Sequence, residues 1–180
     1  MDSPDGELVR RVLAGETDVY RLLVARYRDR LGRYAVHMLT STEDAEEAVQ
    51  DSFVRAYRSL ARCEDPDRFG AWLFRILVNR VRTAGGRRIR RERTIVSDEN
   101  AVLDASVEHP ADQLAWREEI QRALVRLDRE QREAFLLKYV EDKSYEEISE
   151  LTGVGISALK MRVKRACDRL RVMLQEVERV

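Results

Sequence analysis

The sequence predicts an all-α chain: two small helical domains joined by a flexible acidic linker, the second a four-helix domain with a helix-turn-helix. Three observations predict it. Glycine and proline are scarce, 8 and 3 of 180 residues, so helical segments meet few breakers. Apolar residues recur at intervals of three and four rather than two. Residues 94–113 are polar and acidic, contain Pro110 and hold no sustained period, as a tether between packed units would. The expected domains are therefore 1–93 and 114–180, with 94–113 between them. A domain the size of the second is small but many such fold alone.

The elements follow in order. Residues 17–39 place Tyr20, Leu23, Tyr27, Leu31, Tyr34 and Met38 on one helical face. Ser41 and Thr42 offer capping oxygens to the next helix. That helix runs to about Leu60, with Ala45, Ala48, Val49, Phe53, Ala56, Tyr57 and Leu60 inward. A polar loop, Arg62 to Arg68, precedes a third helix carrying Phe69, Trp72, Leu73, Ile76 and Leu77, which is expected to end near Gly85-Gly86. In the second domain, starting near Leu114, Ile120, Leu124 and Leu127 mark one helix. Ala134, Phe135, Leu136, Leu137 and Tyr139 mark another, capped by Asp128.

Residues 144–171 carry the most specific pattern. Ser144 with Glu147 three positions on fits a capping box. Ile148 and Leu151 share a face, and Gly153 stands where the chain must turn. Ile156, Leu159, Val163, Ala166 and Leu170 then form one apolar stripe. The other face holds Lys160, Met161, Lys164, Arg165 and Asp168, with Arg162 at its flank. From Ile156 to Val172 there are six Lys or Arg and one acidic residue. Ser149, Gly153 and Leu159 have the mutual spacing of a helix-turn-helix, whose second helix enters a major groove.

The formal net charge is zero, yet the distribution is uneven. Residues 75–93 hold eight arginines and one glutamate, whereas residues 41–51 and 94–116 each hold five acidic residues and no Lys or Arg. Local patches rather than the sum decide binding. Cys63 and Cys167 are far apart, no zinc-type spacing exists, and two free thiols suit a reducing cytoplasm. No apolar run nears the roughly 18 residues of a membrane span, so direct membrane insertion is not expected. The acidic N-terminus lacks a signal-peptide pattern. His37 and His109 are isolated, and no nucleophile–base arrangement or phosphate loop is visible. The expectation is therefore a non-enzyme without metal or cofactor.

Four ordered motifs resemble one family. Glu43-Asp44-Ala45-Glu46-Glu47-Ala48-Val49-Gln50-Asp51-Ser52-Phe53-Val54-Arg55-Ala56-Tyr57 resembles region 2.2 of bacterial RNA polymerase sigma factors of the sigma-70 family, extracytoplasmic-function (ECF) type. Phe69-Gly70-Ala71-Trp72-Leu73-Phe74-Arg75-Ile76-Leu77-Val78-Asn79 resembles regions 2.3 and 2.4. Leu127 to Tyr139 resembles region 4.1, and the 144–171 motif region 4.2.

The resemblance implies core RNA polymerase (its β′ and β subunits) and promoter DNA as partners, with an anti-sigma factor as a further possible one. Polymerase would be met by Glu43, Glu47, Gln50, Asp51, Val54, Arg55 and Arg58. Asp65, Asp67 and Arg68 fall in the loop that cups a flipped base of the −10 element. Asn79, Arg80 and Arg82 follow on the helix expected at the upstream edge of that element. Lys160, Met161, Lys164 and Arg165 fall at −35 reading positions, with Arg162 positioned for phosphate. The run Arg87, Arg88, Arg90, Arg91 and Arg93 suits salt-dependent backbone contacts. The linker would either thread the polymerase RNA path or serve as a plain tether. The competing reading is a helix-turn-helix regulator that binds operator DNA without polymerase. It leaves residues 1–93 without a role.

Overall fold

The structure is a computed structural model and describes residues 3–39, 41–92 and 119–177, with side chains through Ala84 and Gln175 in the helices that end the last two stretches. The chain forms two compact units, Met1–Glu99 and Asn100–Val180. Every regular element among the described residues is helical, as the periodicity predicts. The linker residues 94–113, His109 and Leu114 lie outside the described residues.

The first unit comprises α1 (Asp5–Leu13), a short turn Thr17–Val19, α2 (Tyr20–Leu39), α3 (Thr42–Arg58), two further turns (Leu60–Arg62 and Pro66–Arg68) and α4 (Phe69–Glu92). Its core lies among α2, α3 and α4. Leu23, Leu31, Tyr34, Ala48, Phe53, Leu73, Phe74 and Leu77 are all buried there, and Tyr34 meets Phe74 edge-on at 5.0 Å. Each such large side chain contributes about 1.5–3 kcal/mol by leaving water. Ser41 caps α3, its Oγ accepting from Asp44 N at 3.2 Å.

Two expectations are corrected here, and one element joins those expected. Residues 1–16 carry no expected element, and α1 forms there, burying Leu8, Val9 and Val12. A nine-residue helix is marginal in isolation; it forms because the turn Pro66–Arg68, α2 and α4 pack against it. Tyr57, expected inward, is 41% exposed. Its ring packs edge-on against Tyr20 at 5.0 Å, at the rim rather than inside. The third long helix does not end near Gly85-Gly86 but continues to Glu92. Each glycine costs about 1 kcal/mol relative to alanine in a helix interior, which is a cost and not a prohibition when the flanking residues favour helix.

The second unit has a helix over 119–125 (α5), then α6 (Arg129–Phe135), a π-type turn Leu136–Val140, α7 (Tyr145–Thr152) and α8 (Ile156–Val177). In the wide turn Glu141 N donates to Leu136 O at 2.9 Å, and Lys143 N to Leu137 O at 3.0 Å. The adjacent Leu136 and Leu137 are both fully buried, while Tyr139 is exposed. Ile120, expected on the apolar face with Leu124 and Leu127, is exposed while those two are buried. Arg132 is buried and donates from Nη2 to Val125 O at 2.5 Å and Leu127 O at 3.2 Å, closing the carbonyl end of α5. Burial pushes its guanidinium below the ordinary arginine value, and Arg129 adds to that. Asp128 stands at the N-cap of α6 but makes no side-chain cap bond. Its carboxylate accepts instead from Arg169 of α8 at 2.6 Å, so the predicted cap is replaced by an inter-helix ion pair.

Candidate nucleic-acid interface

In the second unit, Ser144 Oγ accepts from Glu147 N at 3.1 Å, while Glu147 Oε2 accepts from Ser144 N at 2.8 Å. The capping box is complete. Gly153 ends α7 with φ 69°, a left-handed geometry that glycine adopts without a Cβ penalty. α8 begins at Ile156 and packs through Leu159, Val163, Ala166 and Leu170, all buried.

The opposite face of α8 is exposed, and Met161 sits at its centre with 48% exposure. At about 100° per residue, Ser157, Ala158, Lys164 and Arg165 surround it, and all four are exposed. Lys160 and Arg162 lie on the two flanks. The Lys160 ammonium rests 5.7 Å from the Tyr145 ring centroid, and Arg162 is paired with Glu130 of α6 at 2.6 Å. Lys164 has Asp168 within 3.6 Å, which closes the basic face toward the C-terminal end. Ser157 was absent from the expected readers. Its signal was present in the sequence, since it precedes Met161 by one helical turn.

In the first unit, the loop before α4 is built by local caps. Asp65 accepts from Asp67 N at 3.1 Å, and Pro66 occupies the first position of the turn. Cys63 Sγ donates to Asp65 O at 3.4 Å, and burial pushes the Cys63 thiol up. Asp67 is bound by Arg10 of α1 at 3.2 Å. Arg68 is exposed. Trp72 is half-buried, 6.0 Å from Phe69.

Along α4, Arg75, Asn79 and Arg82 share one face, and Arg68 continues that line in the preceding turn. From Arg68 to Asn79 the rise is about 17 Å, comparable with about five stacked nucleotides at about 3.4 Å each. Arg75 is an exposed member of this line that the sequence reading counted among the arginines without assigning it a role. Arg80 points elsewhere. It is ion-paired with Asp51 of α3 and lies 14% exposed. The backbone that carries Arg87, Arg88, Arg90 and Arg91 continues α4; their side chains, and Arg93, lie outside the described residues.

On α3, Glu43, Glu47, Gln50, Val54 and Arg58 form one exposed stripe. Asp51 and Arg55 lie at its flank, joined at 3.2 Å, with Asp51 half-buried toward α4.

Comparison with known proteins places both units. Residues 23–94 match a family model described as Sigma-70 region 2, and residues 117–170 match one described as Sigma-70, region 4. The chain is 31% identical to the RNA polymerase sigma factor CarQ of Myxococcus xanthus, over 94% of this chain and 97% of that protein. It is 27% identical to the ECF RNA polymerase sigma factor SigW of Bacillus subtilis, covering 94% and 96%. Among solved structures it is similar to CnrH in complex with the cytosolic domain of CnrY, with TM-score 0.66, 28% identity and coverage of 96% and 97%. It is also similar to the sigma factor RpoE in complex with the anti-sigma factor NepR from Bartonella quintana, with TM-score 0.70, 26% identity and coverage of 87% and 96%.

Proposed function

The chain belongs to the sigma-70 family, and on that premise we propose how its two units divide the work of an ECF-type alternative sigma factor in directing transcription initiation. One observation carries the reading: region 2 and region 4 occur in order, each on its own compact unit. A helix-turn-helix regulator working without polymerase is not favoured, because it gives the first unit no task.

The exposed stripe of α3, from Glu43 through Glu47, Gln50 and Val54 to Arg58, docks on core polymerase. Mixed charge on such a face sets orientation and partner choice. The loop Asp65–Arg68 and the line Arg75, Asn79 and Arg82 receive the −10 element. Melted bases need polar groups to hold them and a basic track for the backbone; the loop supplies Asp65, Asp67 and Arg68, and the helix supplies Arg75, Asn79 and Arg82. The Arg87, Arg88, Arg90 and Arg91 run adds phosphate contacts. The −35 duplex is met by α8. Lys164 and Arg165 read bases, a Lys being able to donate to guanine O6 and N7, Met161 packs against a base edge, and Lys160 and Arg162 hold the flanks.

Sigma factors are initiation factors rather than enzymes, and no residue of this chain is assigned a catalytic role. No helix among the described residues is long and apolar enough to cross a membrane, and we assign the protein to the cytoplasm, where polymerase works. Since RpoE was solved with an anti-sigma factor, a partner of that kind is assigned to this chain as well.

Reconstituted transcription tests the reading. Purified protein with core polymerase is presented with a genomic promoter library, and transcript starts are mapped. Discrete starts sharing paired upstream elements are expected. If core polymerase gains no promoter-specific starts, the assignment is wrong.

A further inference from the structure

The residues expected to touch polymerase and those expected to touch the −10 element are not separate groups in this fold. Asp51 of α3 and Arg80 of α4 form an ion pair. Arg80 is 14% exposed and Asp51 30%, and Arg80 Nε is buried without a hydrogen-bond partner. A guanidinium so enclosed is held by its carboxylate, because a charge left unpaired away from water is strongly unfavourable.

Helix geometry agrees. Arg80 stands roughly a third of a turn from the line of Arg75, Asn79 and Arg82. Asp51 lies at the flank of the exposed α3 stripe, on the side nearest α4. Arg55, one turn on, closes against the same carboxylate oxygen at 3.2 Å. Thus one carboxylate gathers two arginines at the seam between the two helices.

We propose that Asp51 and Arg80 form an inter-helix strut, and that both are positioning residues which hold the −10 helix in register with the polymerase-docking helix. Neither reads a base, and neither is a principal polymerase contact. The strut transmits the docked position of α3 to the line Arg68, Arg75, Asn79 and Arg82, so that polymerase binding and −10 capture share one rigid frame. A directional, charge-assisted pair fixes register more tightly than apolar packing, which tolerates sliding.

This inference rests on the sigma reading above, and the experiment separates the two. Holoenzymes are assembled with wild type, Asp51→Asn, Arg80→Gln, the double variant, and the exchanged pair Asp51→Arg with Arg80→Asp. Circular dichroism confirms that each is folded. Three quantities are read: affinity for core polymerase, lifetime of the open complex by permanganate reactivity, and −10 base preference in a randomised library. Each single variant is expected to shorten the open complex about tenfold, with the double variant no worse than either, the signature of a coupled pair. The exchanged pair should recover part of the loss, since Arg55 loses its carboxylate partner in the exchange. Core affinity should stay within about twofold, below the tenfold step of a lost contact, and base preference should not move. Additive losses with no recovery would overturn the strut. So would a changed base preference in Arg80→Gln, which would make it a reader, or a loss of core affinity in Asp51→Asn without a change in melting. If wild type itself forms no open complex, the sigma reading fails and the strut with it; a working wild type with uncoupled variants sinks the strut alone.

Discussion

Glu147 shows how much one local pair can do. Its carboxylate accepts from the Ser144 amide, and that bond, with Lys143 at 3.6 Å, holds the carboxyl below the ordinary glutamate value. A carboxyl depressed in the folded state stabilises the fold above its unfolded value, and that contribution is lost as pH falls through the folded one. The Glu147→Gln variant should therefore be less stable than wild type at neutral pH, with the gap closing as pH drops below the ordinary glutamate range. Denaturant melts across about pH 3 to 7 check it; a gap independent of pH would contradict it. Ser144→Ala should cost about 1 kcal/mol. This capping box and the Gly153 turn were legible in the sequence because their partners lie within a few residues. Asp128 was not. It stands at a cap position with a capping side chain, yet Arg169, 41 residues away, takes it.

At the scale of elements, the first unit depends on α1, its shortest α-helix. α1 is tied down at both ends. Asp5 accepts from the Tyr27 hydroxyl and from Arg26, and Arg10 reaches Asp67 in the loop before α4. Burial, together with Asp5, pushes the Tyr27 hydroxyl up to about 12. Gly70 is what lets this junction close. A Cβ there would meet the Tyr27 hydroxyl and come within 2.7 Å of its ring carbons. Gly70→Ala should displace Tyr27, loosen α1 and destabilise the unit by about 1–3 kcal/mol, the usual range for overpacking. Thermal melts give the magnitude, and hydrogen exchange should rise first in Asp5–Leu13. An unchanged melting temperature would show that Tyr27 can swing away freely. The long helices were readable since their apolar stripes repeat over four or more turns; α1 has a stripe too, Leu8, Val9 and Val12, but it spans little more than one turn, too short for a repeat to stand out. The extent of α4 was misjudged for a different reason: a glycine pair weakens a helix without ending it.

For the whole molecule, zero net charge conceals a segregated charge pattern, so salt dependence should follow the local basic runs. Arg88→Ala in the holoenzyme should weaken promoter binding uniformly and lower the slope of log affinity against log salt by about one. Lys164→Ala should instead shift base preference in the −35 element. A binding selection at several salt concentrations distinguishes them, and a Lys164→Ala variant with an unchanged sequence preference would mark that residue as a phosphate contact. By itself the sequence determined the helical class, the order of the motifs, the capping box and the apolar stripe of α8. The class, the capping box and the stripe are encoded by spacings of three or four residues, which the helix repeat turns directly into faces, and the motif order by resemblance to one family. Only the tertiary structure decided which charges are left for partners. Asp51 with Arg80, Arg10 with Asp67, and Glu130 with Arg162 are far apart in sequence and paired in space. Ion pairing acts over a few ångströms through space, and no periodicity along the chain carries that distance.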